Sequence, residues 1–545
     1  MLVIVNLDFN RVPRLIHIKK QRFGITMFGL IYVQFYFVTI ATILGVGILG
    51  LPVTLSHSGF YPFLTLFTFS YLSQVVLVLV FTELLQIACF YVMQQETSQG
   101  VPTEALPLEP TSDMAEFSSI EEEEFEMQNR IAQNIDIPLV MPNLHMLGEL
   151  FLNKIGTFCF DVCLGLSFVS VLISYALAGS QAFAEILHLS VVGMIPVFVW
   201  TLTLIIIFLQ FLVQPVISVL TLCKGAMFIG CVVVTFLVGA KIDLHATNDF
   251  KAIQEPFLMG TVALGGIINI MPILFGRIKP NKSQIKKFNA AIIAGLTTCY
   301  ILNIMWCWTI LKIVPQENPC LKSKISHLVN ATVSSTRAPD VEVCSPISLE
   351  NSKHNGEIAT IPLVDVILHH HQEFSFVAVI TQFFIVVSIT VSYLTFGSAM
   401  HHMVSGMVTS FWHIHGPFIS EKCKFKRGAY DQAQLWIFDV SSIMKATVSI
   451  ASFLAVYIVA TANPRGFINV LDRVTSFSQN SQNAIFVPIM LFVVKRDERY
   501  SKLQLSFKLH FSIYVLYALA TCYYTYAVIY DVMDWIKAIL STTTN

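Results

Sequence analysis

Glycine and proline are the first residues in this chain whose types and spacing point to chemistry. The stretch Ile43-Leu44-Gly45-Val46-Gly47-Ile48-Leu49-Gly50-Leu51-Pro52 lies inside an apolar run from about Gly29 to His57. In a helix interior each Gly costs roughly 1 kcal/mol against Ala, and Pro about 3. Inside a bilayer, backbone freed from its helix is tolerated only where protein or a water-filled cavity satisfies it. One reading is a discontinuous helix whose free N–H groups face a small polar or anionic solute near mid-membrane. The other is a small-residue surface that lets two helices approach closely.

Ionisable side chains inside apolar runs form a second set. At a helix centre they cost about 2.5–3.5 kcal/mol on insertion scales, so each is a functional candidate. Glu83, Asp161, Glu185, Lys224 and Lys445 qualify by position. A carboxylate paired with Lys224 would make either a proton relay or a structural ion pair. Glu185 and Lys445 fit helix ends, where long side chains reach the interface. His369-His370-His371 would bind a metal or, more simply, be a solvated cluster, and no metal site is expected. There is no P-loop, no HExxH and no convincing catalytic triad, so neither an enzyme nor a cofactor is expected.

The elements that position these residues are membrane helices. Of the 545 residues, 55% are hydrophobic and only 12% charged, with a mean hydropathy of +0.69. Soluble domains carry roughly 25% charged residues. A net charge of −1 gives no footing for nucleic acid. No signal peptide is expected, because the first apolar run is too long for one. Apolar runs long enough to cross a bilayer fall near 29–57, 60–93, 150–187, 194–213, 216–240, 257–276, 288–313, 374–402, 436–461, 467–494 and 507–531. About eleven spans result, with the boundary at Gln214-Pro215 the least sharp. Residues 1–28 form a basic cytoplasmic tail, and 532–545 a short C-terminal tail on the external or lumenal side. Basic residues recur in alternate loops, at Arg277 to Lys287, Lys422 to Arg427 and Lys495 to Lys502. By the positive-inside rule these loops and the N-terminus are cytoplasmic.

Two loops are long. Residues 94–147 are rich in Pro, Ser and Glu, with the run Glu121-Glu122-Glu123-Glu124. They read as an acidic disordered linker, or as a regulatory segment with Ser118 and Ser119 each three residues before a Glu. Residues 314–373 would be external or lumenal. They carry a sequon at Asn330 and two cysteines, Cys320 and Cys344, which an oxidising side would join as a disulfide. The second sequon, at Asn281, falls on the cytoplasmic side.

The sixth run repeats the theme of the first. Thr261-Val262-Ala263-Leu264-Gly265-Gly266-Ile267 precedes Met271-Pro272. Interrupted segments at corresponding places in two halves point to a transporter's binding site. An offset of five spans gives two five-helix repeats of opposite orientation.

These motifs resemble the amino acid/auxin permease family. Gly45-Val46-Gly47-Ile48-Leu49-Gly50-Leu51-Pro52, then Ser58-Gly59, is similar to that family's first span. Pro272 before basic residues, Ser174-Tyr175-Ala176-Leu177, and Val470 to Ser476 are further likenesses. The resemblance implies an all-α polytopic membrane protein of LeuT type. It would have about 11 transmembrane helices in a 5+5 inverted repeat, with broken helices 1 and 6. It implies secondary transport of amino acids driven by H⁺ or Na⁺. It places the substrate carboxylate at the backbone of Gly45, Val46 and Gly47, and its ammonium at carbonyls around Leu264, Gly265 and Gly266. Ser388, Thr390 and Ser392 in the eighth span would offer hydroxyls to a coupling ion, or simply bond their own helix. Ala41 stands where many sodium-coupled members have Asn, and no His lies between Phe28 and Pro52. The coupling ion is therefore open. A solute sensor signalling through the acidic loop is the alternative. The plasma membrane and a lysosome-like membrane fit equally.

Overall fold

The computed structural model describes residues 31–99, 143–241, 246–279, 281–317, 347–370, 372–424, 440–467, 470–501, 505 and 507–543. Cys320, Cys344, Asn330, His371, Ser118, Ser119 and the glutamate run at 121–124 lie outside them. The described chain is all helix. Span 1 is split into 1a (Ile31–Ile43) and 1b (Val46–Thr54), inclined at 40°. Span 2 is Phe60–Gln99, span 3 Lys154–Leu187, span 4 Val191–Phe208 and span 5 Gln210–Gly239. Span 6 is split into 6a (Gln254–Leu264) and 6b (Ile267–Phe275). Span 7 is Lys282–Ile313, span 8 Ser375–Lys424 and span 9 Val440–Ala462. Span 10 covers 470–496 and span 11 is Phe511–Thr543.

Local chemistry sets several boundaries. Asn153 opens span 3 by accepting from the Gly156 N–H at 2.7 Å, and Ser190 opens span 4 by accepting from Gly193 at 3.3 Å. Each satisfies one of the orphan donors of a first helical turn. A separate short helix, Leu144–Phe151, precedes span 3, with Asn143 as its cap. The third run therefore begins later than the expected 150. Spans 4 and 5 part at Leu209, not at Gln214-Pro215. The stretch expected as a loop to 373 contains two helices, Leu349–Asn355 and Thr360–His370.

Nine described helices are long and apolar enough to cross a membrane, ten with the bent pair of span 1. The expectation was about eleven. Span 10 makes the difference. It winds through two π-turns, Val470–Thr475 and Gln482–Phe486. Between them lie buried Ser476, Ser478, Gln479, Asn480 and Ser481, so the segment is too polar and too irregular for that measure.

The packing pairs each of four spans with the one five places later: 1b with 6a, 2 with 7, 3 with 8, and 4 with 9. Span 5 packs along span 8 as span 10 packs along span 3, and span 4 meets span 8 as span 9 meets span 3. This is the pattern that a two-fold relation between spans 1–5 and 6–10 produces, and span 11 lies outside it against spans 2 and 10. Span 6 is the centre, with 94% of its apolar window buried in protein, against 22% for spans 9 and 11. The exposed flanks of the outer helices, including Phe511, Leu519 and Ile539, are apolar. An apolar exterior around a polar, interrupted centre is what a bilayer solvent selects. The chain is a multi-pass membrane protein.

Candidate functional site

Both glycine breaks are real interruptions, and they meet. In span 1 the helix stops at Ile43, and Leu44 and Gly45 form a turn. In span 6 it stops at Leu264, and Gly266 adopts φ +80°, a conformation that glycine takes without strain. A Cβ on Gly47 would lie 2.6 Å from the Ala263 Cα, so only glycine lets 1b come this close to 6a. A Cβ on Gly45 would strike the Tyr175 hydroxyl, with the ring carbon beneath it at 2.6 Å. The sequence reading left solute binding and close packing open for these glycines; the geometry of Gly47 is close packing at a helix break.

The two breaks border one small cavity, lined also by Thr42, Val171, Tyr175, Val262, Phe396 and Gln479. Its free volume is about 10 Å³, about room for a single water. The start of 1b carries unfilled N–H groups and a positive partial charge, and the end of 6a carries the opposite. Gln479 Oε1 faces Gly265 and, though 5% exposed, accepts no hydrogen bond from a described residue. Of the expected residues Gly47 and Gly265 line the cavity, Gly45 lies against Tyr175 and Gly266 against Phe396 and Gln479, while Val46 begins 1b and Leu264 ends 6a. Sequence reasoning missed Phe396 and Gln479. Neither has a motif, and only tertiary packing brings them here.

Pro52 shapes the same site at a distance. Lacking an N–H, it leaves the carbonyl of Ile48, four residues back, without its helical partner. The indole N–H of Trp306 in span 7 donates to that carbonyl at 2.8 Å. Half-helix 1b is further held by the Ala359 N–H donating to Leu49 O at 3.0 Å.

Ser388 and Ser392 do face span 1. Ser388 donates to Leu44 O at 3.2 Å, and Ser392 to Ala41 O at 3.1 Å. Thr390 does not join them; it bonds Val386 O of its own helix at 2.7 Å. Lys224, fully buried, reaches the same place. Its ammonium donates to Ala41 O at 2.7 Å and to Ser392 Oγ at 2.6 Å. The sequence reading paired Lys224 with a carboxylate, and among the described residues it has none. A broken helix exposes carbonyls, and these take the carboxylate's place.

The three candidate acids are paired elsewhere. Glu83 accepts from Lys495 Nζ at 2.8 Å and from the Tyr514 hydroxyl. Asp161 lies 2.8 Å from His145 Nδ1, on the short helix before span 3. Burial disfavours charge on His145, but Asp161 and Glu149 outweigh it and hold its pKa above the ordinary value. Glu185 accepts from Gln382 at 3.1 Å. One acid was overlooked. Asp531 lay at the predicted edge of span 11, yet that helix runs to Thr543 and buries it. Ser476 donates to it at 2.9 Å, and Asn480 bridges Ser476 to Thr261 in 6a at 3.0 Å each.

No family model and no curated protein sequence matches this chain. Among solved structures it is similar to a manganese transporter of Eremococcus coleocola, crystallised with an aromatic bis-isothiourea compound. The two share 12% identity over 94% of this chain and 88% of that one, with a TM-score of 0.48. A single-substitution variant of the same transporter gives 11% identity, the same coverage and a TM-score of 0.49.

Proposed function

We propose that the chain is a secondary active transporter that moves an amino acid, or a related small zwitterion, by alternating access. The observation that carries this reading is the meeting of two helix breaks around one cavity. A zwitterion needs a positive end for its carboxylate and a negative end for its ammonium. The N–H groups of Val46 and Gly47 serve the first. The carbonyls at the end of 6a and Gln479 Oε1 serve the second. A cavity with room for about one water agrees with a device that must part its helix bundles to admit solute, as alternating access requires. The likeness of Gly45 to Pro52 to the amino acid/auxin permease family supports the same substrate class. A divalent metal suits the cavity less well, since hard cations favour carboxylate ligands and no carboxylate among the described residues borders it.

The test is uptake of labelled amino acids into proteoliposomes under imposed pH or Na⁺ gradients. Gradient-driven uptake abolished by Gly47→Leu is the expected result, because the leucine side chain would have to displace the Ala263 backbone. A protein that binds an amino acid and moves none would favour a sensor. The absence of both binding and flux would refute the substrate class.

A further inference from the structure

A second cavity lies away from the helix breaks, where span 2 meets the junction of spans 10 and 11. Its volume is about 220 Å³, against about 10 Å³ at the breaks. Span 2 lends it Glu83 and span 10 lends it Lys495, while Lys508 stands on the linker and Tyr514 in the first turn of span 11. Ile87, Val494, Leu505 and Leu509 give it apolar walls.

The charges there do not cancel. Glu83, 1% exposed, accepts from the Lys495 ammonium at 2.8 Å and from the Tyr514 hydroxyl. Lys495 gives a second hydrogen to the Tyr514 oxygen at 2.8 Å. An ammonium has three donors, so one is left over among the described residues, on a side chain 49% exposed. Lys508 is exposed and has no hydrogen bond or ion pair with a described residue. The cavity thus carries two ammonium groups against one carboxylate. From 495 to 510 the chain has five Lys or Arg and two Asp or Glu. Apolar surface adjoins this charge. Phe492, one turn before Lys495, is 62% exposed, and Phe511 and Val515, beside Tyr514, are 78% and 48% exposed. Such flanks meet lipid tails in a membrane protein. The cavity therefore stands at the border between lipid-facing helix and basic linker, the depth of phospholipid headgroups.

We propose that this cavity binds the headgroup of an anionic phospholipid. The lipid phosphate accepts from Lys508 and from the remaining N–H of Lys495, and the glycerol lies against the apolar walls. Glu83 and Tyr514 are positioning residues, which hold Lys495 at the cavity through bonds of their own. The volume suits a headgroup better than a larger soluble ligand, since pockets for drug-sized molecules run to about 300–1,000 Å³. The positive-inside rule expects the linker on the cytoplasmic face, whose leaflet carries the acidic lipids that basic pockets between helices recognise. Bound there, the lipid ties the linker to span 2 by way of Lys495 and Glu83. The site is independent of the transporter reading.

The test is the unfolding temperature of the full-length protein in detergent micelles, titrated with one lipid at a time. Dioleoyl phosphatidylglycerol and dioleoyl phosphatidylcholine share their chains and differ in headgroup charge. The first should raise the unfolding temperature saturably, as a ligand of the folded state does, and the second should not. Lys508→Gln should raise the half-saturating fraction of phosphatidylglycerol about five-fold, the worth of about one lysine at an acidic surface. Lys508→Arg should restore it. Lys154→Gln, at an exposed lysine that opens span 3, should leave it unchanged. Inorganic phosphate without lipid should give no shift. A shift with phosphate as large as with phosphatidylglycerol would make this a soluble-anion site and overturn the lipid assignment. An equal response to both lipids, or a half-saturating fraction unmoved by Lys508→Gln, would also overturn it. Equal weakening by Lys508→Gln and Lys154→Gln would do the same, since general surface charge would then suffice.

Discussion

Gly45 and Gly47 work by what they lack. A methyl on Gly45 would collide with Tyr175, and forcing volume into a filled interior costs about 1–3 kcal/mol. Gly45→Ala should therefore lower the unfolding temperature and abolish solute binding, whereas Gly165→Ala, whose added carbon meets nothing within 4 Å, should do neither. His145 gives a second prediction. Its folded pKa is raised, so the stability it contributes is complete below the ordinary histidine value of about 6.5. That contribution is lost as pH rises through the higher folded value. Relative to His145→Gln, wild type should be the more stable near pH 6, and the difference should shrink as the pH is raised through the alkaline range. A constant difference would show that the ion pair is not its source. At this scale the sequence was informative where a residue type has one physical meaning. The glycines, Pro52, and the i, i+4 pair Ser388 and Ser392 were legible. The partner of Lys224 was not, because backbone carbonyls leave no trace in residue identity.

The elements show how a broken helix is kept in place. Pro52 strands the Ile48 carbonyl and Trp306 satisfies it at 2.8 Å. Leaving a buried acceptor unpaired costs about 1–3 kcal/mol. Trp306→Phe should lose that much by denaturant or thermal unfolding, beyond the change in ring size. In Pro52→Ala, which restores an N–H at position 52, the cost of Trp306→Phe should shrink. Strictly additive losses in this double-mutant cycle would contradict the assignment. Breaks 1 and 6 were readable because Gly and Pro disfavour helix. The π-turns of span 10 were not, since Val470 to Phe486 contains neither residue and its register is set by packing against spans 3 and 11. The helix Leu144–Phe151 is not legible in the sequence: residues to 147 read as part of the acidic loop and the third run as beginning at 150, because eight residues are too few to stand out as an apolar run.

At the scale of the whole molecule, the offset of five between two interrupted runs foretold the packing of spans 1 to 4 on spans 6 to 9. Orientation rests on charge in the loops, and it makes a separate prediction. Asn330→Gln should abolish a glycosidase-sensitive change in mobility, and Asn281→Gln should not, if the loop charges orient the chain as the positive-inside rule expects, with Asn281, which caps span 7 through the Ser283 N–H at 3.3 Å, on the cytoplasmic side. The reverse result would invert the topology. The central claim is that the cavity between the breaks opens in turn to the two sides of the membrane. The most direct measurement is two-sided labelling of Val262→Cys, a cavity-lining position, with the other accessible cysteines replaced. A membrane-impermeant maleimide is applied to right-side-out and to inside-out vesicles. Labelling from both sides, with protection by the transported amino acid, is the predicted result. Labelling from one side only, whatever the solute or gradient, would contradict alternating access and leave a binding protein.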